Sequence, residues 1–228
     1  MKAYIMADGE GTRWNNWGGV PKQLIVINDE TLLDRMIRLL KENGINDITI
    51  VGKFENKDAK NIRFENCNDK IDLWTRVAKE SKEPFFILDG DIYYTDAIIK
   101  DAVERETKTF LHWLCPHLNK YTGKPWEEGY LFKVVDVEGW INKLTELQNK
   151  IDNGQIELKN GWVIKNYLCN RPNLYKFYKD LCEHDVYWHD QTDDFDFADG
   201  PECYSGFTND YLRFIHNTGY KGGLWYYQ

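Results

Sequence analysis

Four stretches of this chain carry residue types suited to handling phosphate. The first is Gly9-Glu10-Gly11-Thr12-Arg13, directly behind an apolar run at residues 2–7. Glycines at such a turn let backbone N–H groups approach phosphate oxygens closely, although an ordinary strand–loop turn has the same composition. It is neither a dinucleotide fingerprint, since Trp14 stands where the third glycine should be, nor a P-loop, since no Gly-Lys-Ser/Thr follows. The second is Pro21-Lys22, where a rigid proline presents one lysine at the end of the same loop. Arg13 and Lys22 together would neutralise a triphosphate and the charge that grows during phosphoryl transfer. The plainer alternative is two solvated surface cations.

The third stretch is Asp89-Gly90-Asp91, behind the apolar run at residues 85–88. Magnesium takes carboxylate oxygens beside substrate phosphates, while an Asp-Gly turn also serves geometry alone. The fourth is the acidic run Asp190, Asp193, Asp194, Asp196, Asp199 and Glu202, interleaved with Phe195, Phe197 and Ala198. It reads either as a solvated loop or as a strand with one apolar face, able to fix a second metal-binding carboxylate. The histidines at 112, 117, 184, 189 and 216 show no zinc spacing and no G-x-S-x-G is present, so zinc and acyl-enzyme chemistry find no support.

These residues need a scaffold, and the first half of the chain supplies one by alternating apolar strands with amphipathic helices. Strands are expected at residues 2–7, 47–51, 63–64 and 85–88, with a loop at 8–22. A helix over 31–43 carries Leu32, Leu33, Met36, Leu39 and Leu40 on one stripe, with Gly44 as its stop. A second helix over 69–82 turns Ile71, Leu73, Trp74, Val77 and Ala78 inward, and Pro84 follows. Beyond residue 100, strands are expected at 109–114, 130–135 and 162–164, and helices at 139–150 and 172–183. The alternation predicts an α/β fold with a mainly parallel sheet and helices on both faces. Ligands then bind beyond the carboxyl ends of the strands, where the first three stretches fall.

Composition narrows the function further. The chain has 228 residues, 42% of them hydrophobic, enough to build a full core in one domain over 1–228. The net charge of −8 argues against nucleic acid as a partner. No apolar run approaches a membrane span, and the N-terminus reaches Asp8 too soon for a signal peptide, so no membrane role is expected. The five scattered cysteines form no C-x-x-C pair and read as reduced thiols of a cytoplasmic protein. The nine Trp, 14 Tyr and 11 Phe belong mostly to the core, with some available to a ligand wall.

Residues 3–27, with the glycine loop through Arg13 and then Pro21-Lys22-Gln23-Leu24, resemble the opening signature of the sugar-phosphate nucleotidyltransferases. Leu32-Leu33, the turn Gly44-Ile45-Asn46-Asp47-Ile48 and the strand to Val51-Gly52 match as well. Ile87-Leu88-Asp89-Gly90-Asp91 resembles the family's apolar strand ending in Gly-Asp, and Ala198-Asp199-Gly200-Pro201-Glu202-Cys203-Tyr204 resembles a weakened late metal motif. Length and the late Asp motif look closest to the small phosphocholine cytidylyltransferases.

The resemblance implies a Rossmann-like nucleotide-diphospho-sugar transferase fold, with residues 1–111 binding nucleotide and 112–228 binding the acceptor. It implies an enzyme that uses Mg2+ to join an NMP unit from an NTP to a small phosphorylated acceptor. Ala7, Gly9, Gly11 and Thr12 would line the phosphates, and Arg13 and Lys22 would stabilise their charge and that of the transition state. Asp91 would bind magnesium with Asp199 as second ligand, or Asp196 if the register slips. The sequence departs from the family at Asp8, close to the expected phosphates, and at Gly200 and Cys203 in the late motif, leaving room for a different substrate or for lost activity. Two rivals follow: a glycosyltransferase using Asp89 and Asp91 as an Asp-x-Asp metal site, and an inactive nucleotide-binding protein. If the acceptor is phosphocholine, Trp113, Trp126, Trp162 and Trp188 are candidates for caging its quaternary ammonium.

Overall fold

Strand β1 (Lys2–Met6) begins the structure, with Ala3 and Ile5 on one face and Tyr4 on the other. The computed structural model describes residues 1–9, 19–27, 29–92, 94, 96–115, 128–156 and 161–168. A 3-10 turn at Lys22–Leu24 leads into a ribbon of two short strands, β2 (Val26–Ile27) and β3 (Glu30–Thr31). Helix α1 (Leu32–Glu42) starts where the Thr31 hydroxyl accepts the Asp34 N–H at 3.0 Å, satisfying a donor that the first turn leaves open. Gly44, at φ +85, stops it. Strands β4 (Asp47–Val51) and β5 (Lys60–Ile62) follow. Helix α2 (Lys70–Ser81) is capped by Asp69, whose carboxylate accepts the N–H groups of Ile71 and Asp72 at 2.8 and 2.9 Å. The remainder comprises β6 (Phe85–Asp89), α3 (Asp96–Glu104), β7 (Phe110–Cys115), β8 (Glu128–Val134), α4 (Val137–Asp152) and α5 (Gly161–Leu168).

The sheet has the order β5-β4-β1-β6-β8-β7. β5, β4, β1 and β6 pair in parallel, and β8 runs against both β6 and β7, so five of the six strands point one way. This is the expected α/β architecture. One face buries Ala3, Ile5, Phe86 and Leu88 under α1 and α3, among them Leu33, Met36, Ile98 and Ile99. The other buries Tyr4, Phe85 and Ile87 under α2, α4 and α5. There Trp140 lies edge-on to Phe132 at 5.1 Å and to Phe110 at 5.3 Å, so much of the aromatic excess is core packing.

Three elements differ from the sequence reading. The third strand lies at Lys60–Ile62 rather than 63–64, and Phe64 packs beside the second core cluster instead. Residues 162–164 are helical within α5, although Trp-Val-Ile favours a strand. Ile164 and Leu168, four residues apart, both bury in the core, and that packing overrides local propensity. Helix α3 has no counterpart in the sequence reading. The helix expected at 172–183 lies outside the described residues. Among the described residues no helix is long and apolar enough to cross a membrane.

Candidate functional site

β1, β4 and β6 end side by side. The Ala7 N–H donates to the Val51 carbonyl at 2.8 Å, and the Gly90 N–H to the Met6 carbonyl at 2.9 Å. Gly52 sits at φ +145, and a Cβ there would lie 2.7 Å from the Ala7 carbonyl carbon; one on Gly90 would lie 2.7 Å from the Met6 oxygen. Only glycine permits these approaches. They fix the root of the loop that begins at Asp8, on the edge where parallel sheets bind ligands. Of the expected phosphate contacts, Ala7 is fully buried with its N–H engaged. Gly9 is exposed, and among the described residues nothing packs where its side chain would be.

Lys22 reaches this edge from the 3-10 turn. The turn closes by the Leu24 N–H donating to the Pro21 carbonyl at 2.9 Å, and the Leu32 N–H donates to the Ile25 carbonyl at 3.2 Å, tying the segment to α1. The Lys22 side chain is only 5% exposed, so Lys22 is not a solvated cation, and its Nζ donates to Asp91 Oδ2 at 2.9 Å. Asp91 lies just past β6 and is 30% exposed. A cation and an acid 69 residues apart in sequence thus meet at the sheet edge.

Asp89 goes elsewhere. Lys165 Nζ on α5 donates to its Oδ2 at 3.1 Å, and Lys70 Nζ on α2 lies 3.6 Å from its Oδ1. Lys70 also sits over the Trp74 ring. Burial alone would raise the Asp89 carboxyl, but the charges of Lys165 and Lys70 hold it below the ordinary carboxylate range. The two acids of Asp-Gly-Asp therefore do not converge as a paired metal site, which also removes the support for the glycosyltransferase reading. The motif gives no hint of this. Lys70 stands in the first turn of α2, where a cation opposes the macrodipole, and Asp89 offsets that cost.

Gly11, Thr12, Arg13, Asp196 and Asp199 lie outside the described residues. Among the described residues no group of three potential metal ligands occurs. Asp91, an accessible carboxylate at a strand end, is the donor type magnesium accepts alongside phosphate oxygens, so it fits as one protein ligand. Trp113 is buried in the core and its Nε1 donates to Asp101 at 2.7 Å, so it cannot form part of a cage. Trp126, Trp188 and the Trp162 side chain lie outside the described residues.

No protein-family model matches the chain. The choline-phosphate cytidylyltransferase of Streptococcus pneumoniae is 29% identical over 120 residues, covering 47% of this chain and 52% of that relative. The match thus spans about half the length of the curated relative. A protein assigned as a glucose-1-phosphate thymidylyltransferase from Bacillus anthracis, solved with sucrose, superposes with a TM-score of 0.50 at 15% identity, over 72% of this chain and 83% of that one. The chain resembles the nucleotidyltransferases in sequence and in fold. The CTP:phosphocholine cytidylyltransferase structure from Streptococcus pneumoniae superposes with a TM-score of 0.46 at 18% identity, over 79% and 86% of the two chains.

Proposed function

We propose that this chain is a cytoplasmic nucleotidyltransferase that moves an NMP unit from an NTP to a small phosphorylated acceptor, a sugar 1-phosphate or a phosphocholine-like molecule, and releases pyrophosphate. In this reading residues 1–111 hold the nucleotide and residues 112–228 the acceptor. The observation that carries it is the Lys22–Asp91 pair at 2.9 Å on the carboxyl edge of β1 and β6.

The reaction forms a bond from an acceptor phosphate oxygen to the α-phosphorus and breaks the α–β bridging P–O bond. The acceptor is already anionic, so the protein need supply no strong base; it must hold two anions together and offset their repulsion. Lys22 suits that task. Its ammonium is buried and fixed, with N–H donors to spare beyond the one given to Asp91. Arg13 would add a second cation. Gly9, with nothing among the described residues on its side-chain face, would let backbone and phosphate approach closely. Asp91, with Asp199 or Asp196, would hold Mg2+, which supplies Lewis-acid neutralisation of phosphate oxygens when bound.

The test is pyrophosphate release from each NTP with a panel of phosphorylated acceptors in magnesium buffer. CTP with phosphocholine comes first, because the curated relative is named for choline phosphate. Release that needs both substrates is the expected result. Silence across the whole panel, with nucleotide binding intact, would leave the inactive-protein reading in its place.

A further inference from the structure

The Lys22–Asp91 pair joins two segments that no strand pairing connects. Lys22 precedes the β2–β3 ribbon, whose strands have two residues each. So short a ribbon has little rigidity of its own. Asp91 lies in the turn between β6 and α3. A side chain outside the pair spans both segments. Arg35, on α1 and 15% exposed, donates from Nε to the Tyr94 carbonyl at 2.8 Å and from an Nη to Glu30 Oε1 at 3.0 Å. Glu30 belongs to β3, in register with Ile27 of β2. Tyr94 is buried, and its hydroxyl donates back to the Asp89 carbonyl at 3.2 Å, closing the turn that carries Asp91.

We infer that Arg35 is a positioning residue: its guanidinium bolts the ribbon behind Lys22 to the turn behind Asp91 and so sets the spacing of the pair. The fork geometry matters. A guanidinium donates in two fixed directions from one plane, whereas an ammonium is a point charge on a flexible stem. Arg38 provides an internal comparison. It also binds Glu30, at 2.6 Å, but its other ion pair is with Glu42 on its own helix. The catalytic consequence rests on the reading of Lys22 and Asp91 as the reacting-site pair, but the geometric one does not.

The experiment compares the full chain as wild type, Arg35→Ala, Arg35→Lys and Arg38→Ala, with thermal melts to confirm folding. Lysine acylation by an N-hydroxysuccinimide ester, read by peptide mass spectrometry, reports how well Lys22 is shielded, with exposed Lys108 as the reference. Arg35→Ala should raise Lys22 labelling toward the Lys108 rate, Arg35→Lys should fall between, and Arg38→Ala should match wild type. In turnover, kcat of Arg35→Ala should drop by about a hundredfold, the scale of a misplaced reacting group, with a smaller change in KM for the NTP. Lys22 labelling in a folded Arg35→Ala that stays at the wild-type rate overturns the inference. If that variant does not fold, wild-type labelling in Arg35→Lys overturns it. Labelling that rises as expected in a protein whose wild type never releases pyrophosphate would sink the functional reading while leaving the positioning role standing.

Discussion

Asp89 and Asp91 are the same residue type two positions apart, and the fold gives them opposite tasks. Asp89 ends β6 on the face that carries Phe85 and Ile87 and meets two lysines from two helices. Asp91, past Gly90, meets one lysine and keeps 30% of its side chain exposed. One carboxylate is enclosed by cations and joins α2 and α5 to the sheet. The other retains accessible oxygen on the ligand edge. Charge balance and access, not residue type, separate an acid locked into the scaffold from one left partly open to solvent.

The sharpest way to break this comparison is turnover. Asp91→Asn or Lys22→Ala should lower pyrophosphate release by about 10²–10³-fold, as for loss of one charge-stabilising group, with little change in the thermal melt. An equal rate loss in Asp89→Asn would erase the distinction. Next comes stability. Asp89→Asn removes the charged acceptor facing Lys165 and Lys70 and should cost about 2 kcal/mol in denaturant unfolding, while retaining most activity.

Acid titration sharpens the contrast further. The folded Asp89 carboxyl titrates below its unfolded value, so its contribution is complete above the unfolded pKa of about 4 and is lost as pH falls through the folded value. The stability gap between wild type and Asp89→Asn should stay level from neutrality to about pH 5 and close below about pH 4. The smallest effect belongs to Lys70→Ala. At 3.6 Å and 35% exposed, its ion pair should be worth less than about 1 kcal/mol, and Lys165→Ala should cost more.

Much of the scaffold was legible because local signals agreed. Thr31 and Asp69 are caps placed just before amphipathic runs, and Gly44 is a stop just after one. The parallel strands β1, β4 and β6 are continuous apolar runs, as burial on both faces requires. Helix α3 is short, and its buried Ile98, Ile99 and Ala102 span little more than one turn, too few to establish a period. Helix α5 was misread because its β-prone residues are helical only through packing on the second core cluster. Lys22 behind Pro21 and Asp91 behind an apolar run stand out in the sequence by type and place, and the structure adds that their side chains meet. The fate of Asp89 and the role of Arg35 were not legible, because both depend on partners from distant segments, Lys165 in one case and Tyr94 in the other.

The junction where β1 leaves the sheet is made of main-chain atoms, Met6 and Ala7 against Gly52 and Gly90. Such a seam excludes a methyl group on either glycine, so the point at which the chain leaves the sheet is held by main-chain packing. Gly52→Ala or Gly90→Ala should therefore lower the thermal melt although each adds a single methyl group, because the atom it would strike is main chain and has no alternative rotamer to move into.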